Sequence, residues 1–159
     1  GVIKMKKFAP LISFFLIICF FAGCGGEVVS ATLPNTDITA SFTLPEKYSC
    51  KESIELEGVS FAFYKKTNSQ SSGWSMILSL GESSPQVYGQ YIKMVSSGGG
   101  ITSAKKFSDT TLFSFSGGNA MGNKRGIRLI DDKYLAVLSA QNHVEEQDII
   151  SILNSIKIG

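Results

Sequence analysis

The sequence predicts an α+β domain in which a single, mostly antiparallel β-sheet is flanked by two main helices. Most of the chain alternates apolar and polar residues with the period of two that half-buried strands show. Short turns separate these runs, which favours antiparallel pairing. Two segments instead carry apolar residues at helical spacing, one in the middle of the chain and one at its end. A sheet with helices packed against it is an α+β layer architecture.

The first part of the domain consists of predicted strands. Residues 36–49, TDITASFTLPEKYS, alternate cleanly up to Pro45 and place Phe42 on the apolar face. SIELEG and VSFAFYKK alternate again and predict a hairpin that turns at Glu57 and Gly58. After the loop SQSSG, the run WSMILSL places alternate residues on one face, namely Trp74, Met76, Leu78 and Leu80.

The middle segment predicts a helix. Ser84 followed by Pro85 is typical of an N-cap with proline at the first helical position. The apolar residues that follow at helical spacing are Val87, Tyr88, Tyr91, Ile92 and Val95. Three glycines at 98–100 end the helix.

Four more strand-like runs and a second helix complete the domain. The runs are ITSAKKF, TTLFSFSG, RGIRLID and KYLAVLSAQ, with a tight turn at Asp131 and Asp132 between the last two. Asn142 and Glu145 predict a capping box. The acidic residues at the start of the helix predict a solvated face that the helix dipole favours. Its buried stripe comprises Ile149, Ile152, Leu153 and Ile156.

The front of the chain carries an export signal. Lys6 and Lys7 follow Met5, residues 8–21 are almost wholly apolar, and small residues follow at 22–26. A positive n-region, an apolar h-region and a small-residue site in this order are typical of a secretory signal. The apolar run of 14 residues is shorter than the roughly 20 residues that a spanning helix needs.

The signal ends in a motif that resembles the lipobox of bacterial lipoproteins: an aliphatic residue, a small residue, glycine or alanine, then cysteine. Here it reads Phe21-Ala22-Gly23-Cys24, with Phe21 in place of the usual leucine. The resemblance implies that residues 1–23 are removed and that the Cys24 thiol receives a diacylglyceryl group, while acylation of the new amine would make the anchor stable. The alternatives are an ordinary cleaved signal and an uncleaved anchor. We therefore expect a flexible tether over 24–35 and a single domain over 36–159 that contains the whole core.

Net charge and cysteine content argue against nucleic-acid binding and against an internal disulfide. Removing Lys4, Lys6 and Lys7 with the signal leaves 12 basic residues against 13 acidic ones. A nearly neutral domain is no candidate for binding nucleic acid. Besides Cys24 only Cys50 would remain, which excludes an internal disulfide. We expect Cys50 to pack as a small apolar side chain; the alternative is an exposed thiol that pairs with a partner.

The sequence contains no recognisable catalytic or metal-binding motif. The single histidine, His143, follows a predicted N-cap, which favours a surface position over a role as a base. There is no histidine and cysteine cluster for zinc, no G-x-S-x-G and no P-loop spacing in GGNAMGNKRG. We therefore expect a monomer without enzymatic activity, cofactor or metal.

A second resemblance concerns the domain. Its order of strands, helix, strands and helix, together with the phrases F-x-L-P (Phe42–Pro45) and I-x-x-S-I (Ile152–Ile156), is similar to the PsbP/DcrB-like group of small α/β sandwich proteins. The resemblance covers residues 36–158. It implies a non-enzymatic accessory or binding protein of the cell envelope or of photosynthetic membranes.

Two features are candidates for binding. The loop 117–126, GGNAMGNKRG, is longer than a hairpin needs. Met121, Lys124 and Arg125 in it could contact an acidic envelope protein or, less favourably, lipid headgroups, although a mobile, solvated loop is the simpler interpretation. Four aromatic residues predict core but could instead line a pocket for an apolar ligand; they are Tyr88, Tyr91, Phe113 and Phe115.

Three functions follow from these patterns. The leading one is a membrane-anchored, extracytoplasmic binding or accessory lipoprotein, on the outer membrane where two membranes are present and otherwise on the outer face of the cell membrane. The others are a carrier of a small apolar ligand or lipid between sheet and helix, and an envelope hydrolase without a familiar motif. Only the abundance of serine favours the hydrolase.

Overall fold

The computed structural model describes residues 20–22, 26–55, 58–66, 73–117 and 122–159. These residues form two helices, α1 (Pro85–Ser97) and α2 (Glu146–Ser155). The strands are β1 (Phe20–Ala22), β2 (Gly26–Thr32), β3 (Thr39–Pro45), β4 (Tyr48–Glu55), β5 (Val59–Lys65), β6 (Met76–Glu82), β7 (Ile101–Phe107), β8 (Thr110–Phe115), β9 (Lys124–Ile130), β10 (Tyr134–Ala140) and β11 (Lys157–Ile158).

The strands form two sheets, so the prediction of a single sheet is wrong. The small sheet has the order β1-β2-β3-β11, and the large sheet has the order β4-β5-β6-β10-β9-β8-β7. Every strand pair between described residues is antiparallel, which confirms the α+β class with antiparallel strands and two helices. Alternation identified the strands and their buried faces, but it does not say which strand pairs with which.

The predicted flexible tether is also wrong where the structure describes it. β2 occupies Gly26–Thr32 and pairs with β3 over seven consecutive positions without a register shift. Val29 is fully buried and Leu33 is 3% exposed, both in the main core. Val29, Ala31 and Leu33 are alternate residues, so this segment has a weak strand pattern of its own. The core therefore begins before residue 36, contrary to expectation.

The main core lies on one face of the large sheet, which the small sheet and α2 cover together. Phe42 of β3 packs against Phe61 and Phe63 of β5, with ring centroids 5.1 and 5.6 Å apart. α2 contributes its predicted apolar stripe, in which Leu153 is fully buried. A Cβ on Gly126 of β9 would lie 2.5 Å from Leu153 Cδ1, which shows how closely α2 approaches the sheet.

α1 covers the opposite face of the large sheet. Its predicted start is confirmed, because the Val87 amide donates to Ser84 Oγ at 3.3 Å and Pro85 is the first helical residue. Val95 packs with Phe113 and Ile127 in a second, smaller core. The predicted capping box at the other helix does not form: α2 begins after Glu145, which makes no side-chain capping bond.

The predicted signal lies mostly outside the described residues. Residues 1–19 and 23–25, which include Cys24, are not described, whereas Phe20–Ala22 form β1 and pair with Gly26–Val28 of β2. Within the described ranges, no helix is long and apolar enough to cross a membrane.

Candidate functional site

β2 begins two residues after Cys24, the predicted lipid attachment site. Consecutive Cα atoms are about 3.8 Å apart, so two peptide units span less than about 8 Å. Gly26 pairs with Pro45 at the end of β3. A lipid on Cys24 would therefore join the chain close to this end of the small sheet. We call it the anchor end; it also contains the start of β4, β6 and β9 and the end of β5 and β10.

A buried polar network joins the β3–β4 turn to α2 at the anchor end. Tyr48 Oη donates to Asp148 Oδ2 at 3.0 Å, and Lys47 Nζ lies 2.8 Å from the same carboxylate oxygen. Glu145 lies farther from Lys47, at 3.9 Å, and is exposed. Tyr48 is 2% and Asp148 8% exposed. The network therefore joins α2 to the turn that carries the chain from the small sheet to the large one, with Asp148 nearly buried and Lys47 partly exposed.

The network changes the acidity of its members. Burial raises the pKa of the Tyr48 phenol well above its ordinary value, and the hydrogen bond to the Asp148 carboxylate raises it further. The hydrogen bond to Asp148 raises the pKa of Lys47, although desolvation opposes the shift. Both raised pKa values mean that the Tyr48 phenol and the Lys47 ammonium keep their protons. Lys47, Tyr48 and Asp148, which we call the clamp, therefore join the β3–β4 turn to α2. Tyr48 is neutral and Lys47 charged at physiological pH.

The single histidine also lies at the anchor end. His143 Nε2 is 3.0 Å from Ser75 Oγ. Desolvation lowers the pKa of His143, and the nearby charges of Lys65 and Lys124 lower it further. Ser75 is only 3% exposed, so its oxygen faces the interior and offers little access to a substrate. This geometry favours a hydrogen bond that holds the β10–α2 connection in place.

Two of the three candidate contact residues of loop 117–126, Lys124 and Arg125, lie in the described part of the chain and point to opposite faces of the large sheet. Met121 lies outside the described residues. Lys124 Nζ donates to the backbone oxygens of Asn142, at 3.2 Å, and of Val144. Arg125 is the next residue of β9 and therefore points to the other face, where its guanidinium carbon lies 5.6 Å from the Phe115 ring centroid. Lys124 therefore binds backbone oxygens of the β10–α2 connection, whereas the Nε of Arg125 is buried without a hydrogen-bond partner among the residues that the structure describes.

The four aromatic residues near α1 belong to the core rather than to a pocket. Phe113 is 2% exposed, and Tyr88, Tyr91 and Phe115 pack against its cluster partly buried. The sequence prediction of core is confirmed at these positions. The outer side of α1 nevertheless exposes two large apolar side chains, Val87 at 50% and Met94 at 61%.

Two shallow recesses lie at the end of the domain opposite the anchor end. One, of about 300 Å³, lies on the α1 side of the large sheet beside Leu135 and Val137, where Ser60 Oγ and Ser79 Oγ are 3.0 Å apart. The other, of about 360 Å³, lies beside the β2–β3 turn at Asn35. Both recesses are lined by Gly58, Gly81 and Glu82. The first recess is lined mainly by apolar groups, as ligand sites usually are, whereas the second is about equally polar and apolar.

The remaining chemistry of the described residues is sparse. Cys50 is partly buried and packs against the main core, as expected. No group of three or more histidine, cysteine or acidic residues within the described ranges could hold a metal ion. Comparison with protein-family models, with curated proteins and with solved structures finds no match.

Sequence reasoning missed the clamp at the anchor end. The sequence pattern places Glu145, Glu146 and Asp148 on a solvated face at the start of the last helix, yet Asp148 is nearly buried. A signal was available: Asp148 lies four residues before Ile152 and so occupies the apolar stripe of the helix. A carboxylate on such a stripe indicates a buried partner. The identity of that partner, Tyr48, 100 residues away, could come only from the tertiary structure.

Proposed function

We propose that this chain is an extracytoplasmic lipoprotein that is anchored to a membrane through Cys24 and acts as a non-enzymatic binding or accessory protein of the cell envelope. The observation that carries the proposal is the order of two lysines, an apolar run and Ala22-Gly23-Cys24 at the front of the chain. Gly25 after the cysteine favours the outer membrane in a cell with two membranes. In a cell with one membrane, the domain faces outward.

The position of β2 supports this function. Because β2 begins two residues after Cys24, the connection to the lipid is short and the domain stays close to the bilayer. A partner that it binds must therefore reach the membrane surface. The two-sheet α+β architecture also fits a PsbP/DcrB-like sandwich, and the finer assignment to that group, based on Phe42–Pro45 and Ile152–Ile156, is part of the proposal.

Replacing the attachment residue tests the anchor. The full chain is expressed in a bacterial host with a chemically tagged fatty acid. Wild type is expected to incorporate the tag and to be cut before Cys24. Cys24→Ser is expected to lose the tag and to remain uncut, because a hydroxyl cannot form the thioether. Cys19→Ser is the matched control, since Cys19 lies in the apolar run and is removed with it. A wild-type mature chain that begins at any other residue would contradict the proposal.

The recess beside Leu135 and Val137 supports a second candidate, a carrier of a small apolar ligand. Its volume of about 300 Å³ is at the lower end of the range for ligand sites. Native mass spectrometry of the protein from its own host is expected to detect a bound small molecule that Val137→Trp removes by filling the recess. Protein that carries no ligand in its own host would speak against this candidate.

A further inference from the structure

Exposed strand edges can pair with other chains, and most edges in this fold are protected. β4 and β7 form the edges of the large sheet, and each contains a register shift, at Cys50/Glu52 and Ile101/Ser103. β7 also carries the exposed Lys105 and Lys106. β11 is only two residues long. Bulges, lysines and short strands are the features that prevent edge-to-edge pairing.

The outer edge of β2 lacks all three features. Its seven residues pair with β3 in unbroken register, and Glu27 is its only charged residue. On the outer side, β1 covers only Gly26–Val28. From Val29 to Thr32 this side has no strand partner in the part of the chain that the structure describes. The protection of β2 therefore depends on a three-residue strand.

β1 belongs to the segment that cleavage before Cys24 would remove, so the inference rests on the proposed function. We propose that removal of residues 1–23 opens the whole outer edge of β2 and that a second copy of this chain occupies it, with β2 pairing antiparallel to β2 about a two-fold axis. β1 itself shows that the edge accepts an antiparallel strand. The small sheets of the two copies would then form one continuous sheet of six strands.

The residues of β2 complement each other in this pairing. A register centred on Val29 pairs all seven residues and places Glu27 of each copy opposite Ala31 of the other, so that no like charges meet. Val28 then lies opposite Ser30. Because Val29 faces the core, Val28 and Ser30 lie on the outer face of the strand. Antiparallel pairing puts the two Cys24 residues at opposite ends of the paired strands, so both lipids reach one bilayer when β2 lies along its surface.

The test compares chain lengths and a charge variant by sedimentation under reducing conditions. The chain from Gly25 retains every core residue from Val29 to Ile156 that the structure describes. It is expected to dimerise, whereas the full chain, which keeps β1, dimerises less. Val28→Lys with Ser30→Lys places lysines opposite lysines in the dimer and is expected to abolish dimerisation. Ser41→Lys with Thr43→Lys adds the same charges to the neighbouring strand, one position inward, and is expected to leave the dimer intact.

Two results would overturn the inference: a chain from Gly25 that stays monomeric at millimolar concentration, and a dimer that survives the paired lysines in β2. Amide exchange provides a readout that a merely destabilised fold would not reproduce. The outer amides of β2 are expected to gain protection as concentration rises, while amides in β9 do not change. These measurements need no lipid, so a failure of the Cys24 labelling experiment and a failure of dimerisation remain distinguishable.

Discussion

Tyr48 Oη and Asp148 Oδ2 are 3.0 Å apart, although 100 residues separate them in the chain. The bond joins the residue that opens β4 to the first turn of α2, and Lys47 completes it with an ion pair of 2.8 Å. This contact joins the turn between the two sheets to α2, the helix that covers the large sheet beside the small one. Loss of this contact would destabilise the anchor end while leaving the apolar core packed.

Tyr48→Phe is expected to lower the free energy of unfolding by about 1.5–3 kcal/mol, the usual value of a hydrogen bond to a charged group. Tyr134→Phe is the matched control, because Tyr134 is 7% exposed and its hydroxyl makes no hydrogen bond within the described residues; it is expected to change stability little. Urea unfolding at neutral pH measures both variants. Equal losses in the two variants would mean that the clamp contributes nothing specific.

The same pair predicts a dependence on alkaline pH. The pKa of Tyr48 is raised in the folded state above its ordinary value of 10.0. Its stabilisation is therefore complete below pH 10 and is lost as the pH rises beyond it, because only the unfolded state releases the proton readily. The difference in unfolding free energy between wild type and Tyr48→Phe is expected to shrink between pH 9 and pH 11. A constant difference over this range would contradict the assignment.

Truncation tests the role of β2. A chain from Thr36 lacks β2 together with the buried side chains of Val29 and Leu33, and it leaves unpaired the edge of β3 that faces β2. It is expected to unfold without a cooperative transition, whereas a chain from Gly25 melts cooperatively. Circular dichroism melts of both chains provide the measurement. A chain from Thr36 that is as stable as the longer one would show that β2 is dispensable.

Gly126 and Gly89 provide a matched test of how closely α2 packs against the large sheet. A Cβ on Gly126 would lie 2.5 Å from Leu153 Cδ1 and 2.7 Å from Ile149 Cγ2, so Gly126→Ala pushes α2 away and is expected to cost about 1–3 kcal/mol. Gly89 in α1 has open space at the same position. Gly89→Ala is therefore expected to stabilise the protein by about 0.5–1 kcal/mol through helix propensity. Thermal unfolding is expected to show a lower melting temperature for Gly126→Ala and a higher one for Gly89→Ala.

Lys124 and Arg125 are expected to behave differently when their charges are removed. Lys124→Gln loses the bonds to the Asn142 and Val144 backbone oxygens and is expected to destabilise the fold by about 1–3 kcal/mol. Within the described ranges, Arg125→Gln removes a ring contact and a buried nitrogen without a partner, and it is expected to change stability less. Urea unfolding of the two variants checks this order. A smaller cost at Lys124 than at Arg125 would contradict it.

The sequence predicted what depends on local pattern. Alternation identified the buried faces of β3, β5 and β6, helical spacing located α1 and α2, and Ser84 with Pro85 marked the start of α1 correctly. The partner of each strand depends on contacts between distant residues, so the second sheet could not be foreseen. β2 was missed because Gly26, Glu27 and Ser30 dilute its apolar content. The bond between Tyr48 and Asp148 was not predicted either, because it joins residues that are 100 positions apart in the chain.

The two neighbours of β3 come from distant parts of the chain, and this has a consequence for the timing of folding. Thr39 and Gly159 exchange backbone hydrogen bonds of 2.9 and 3.0 Å, while β2 lies on the other side of β3. The small sheet therefore gains its last strand only after residue 159 has been synthesised. α2, which seals the core, is made only shortly before. The core beneath α2 is therefore completed only when the last residues of the domain are available, a late step that suits the export on which the proposed function depends.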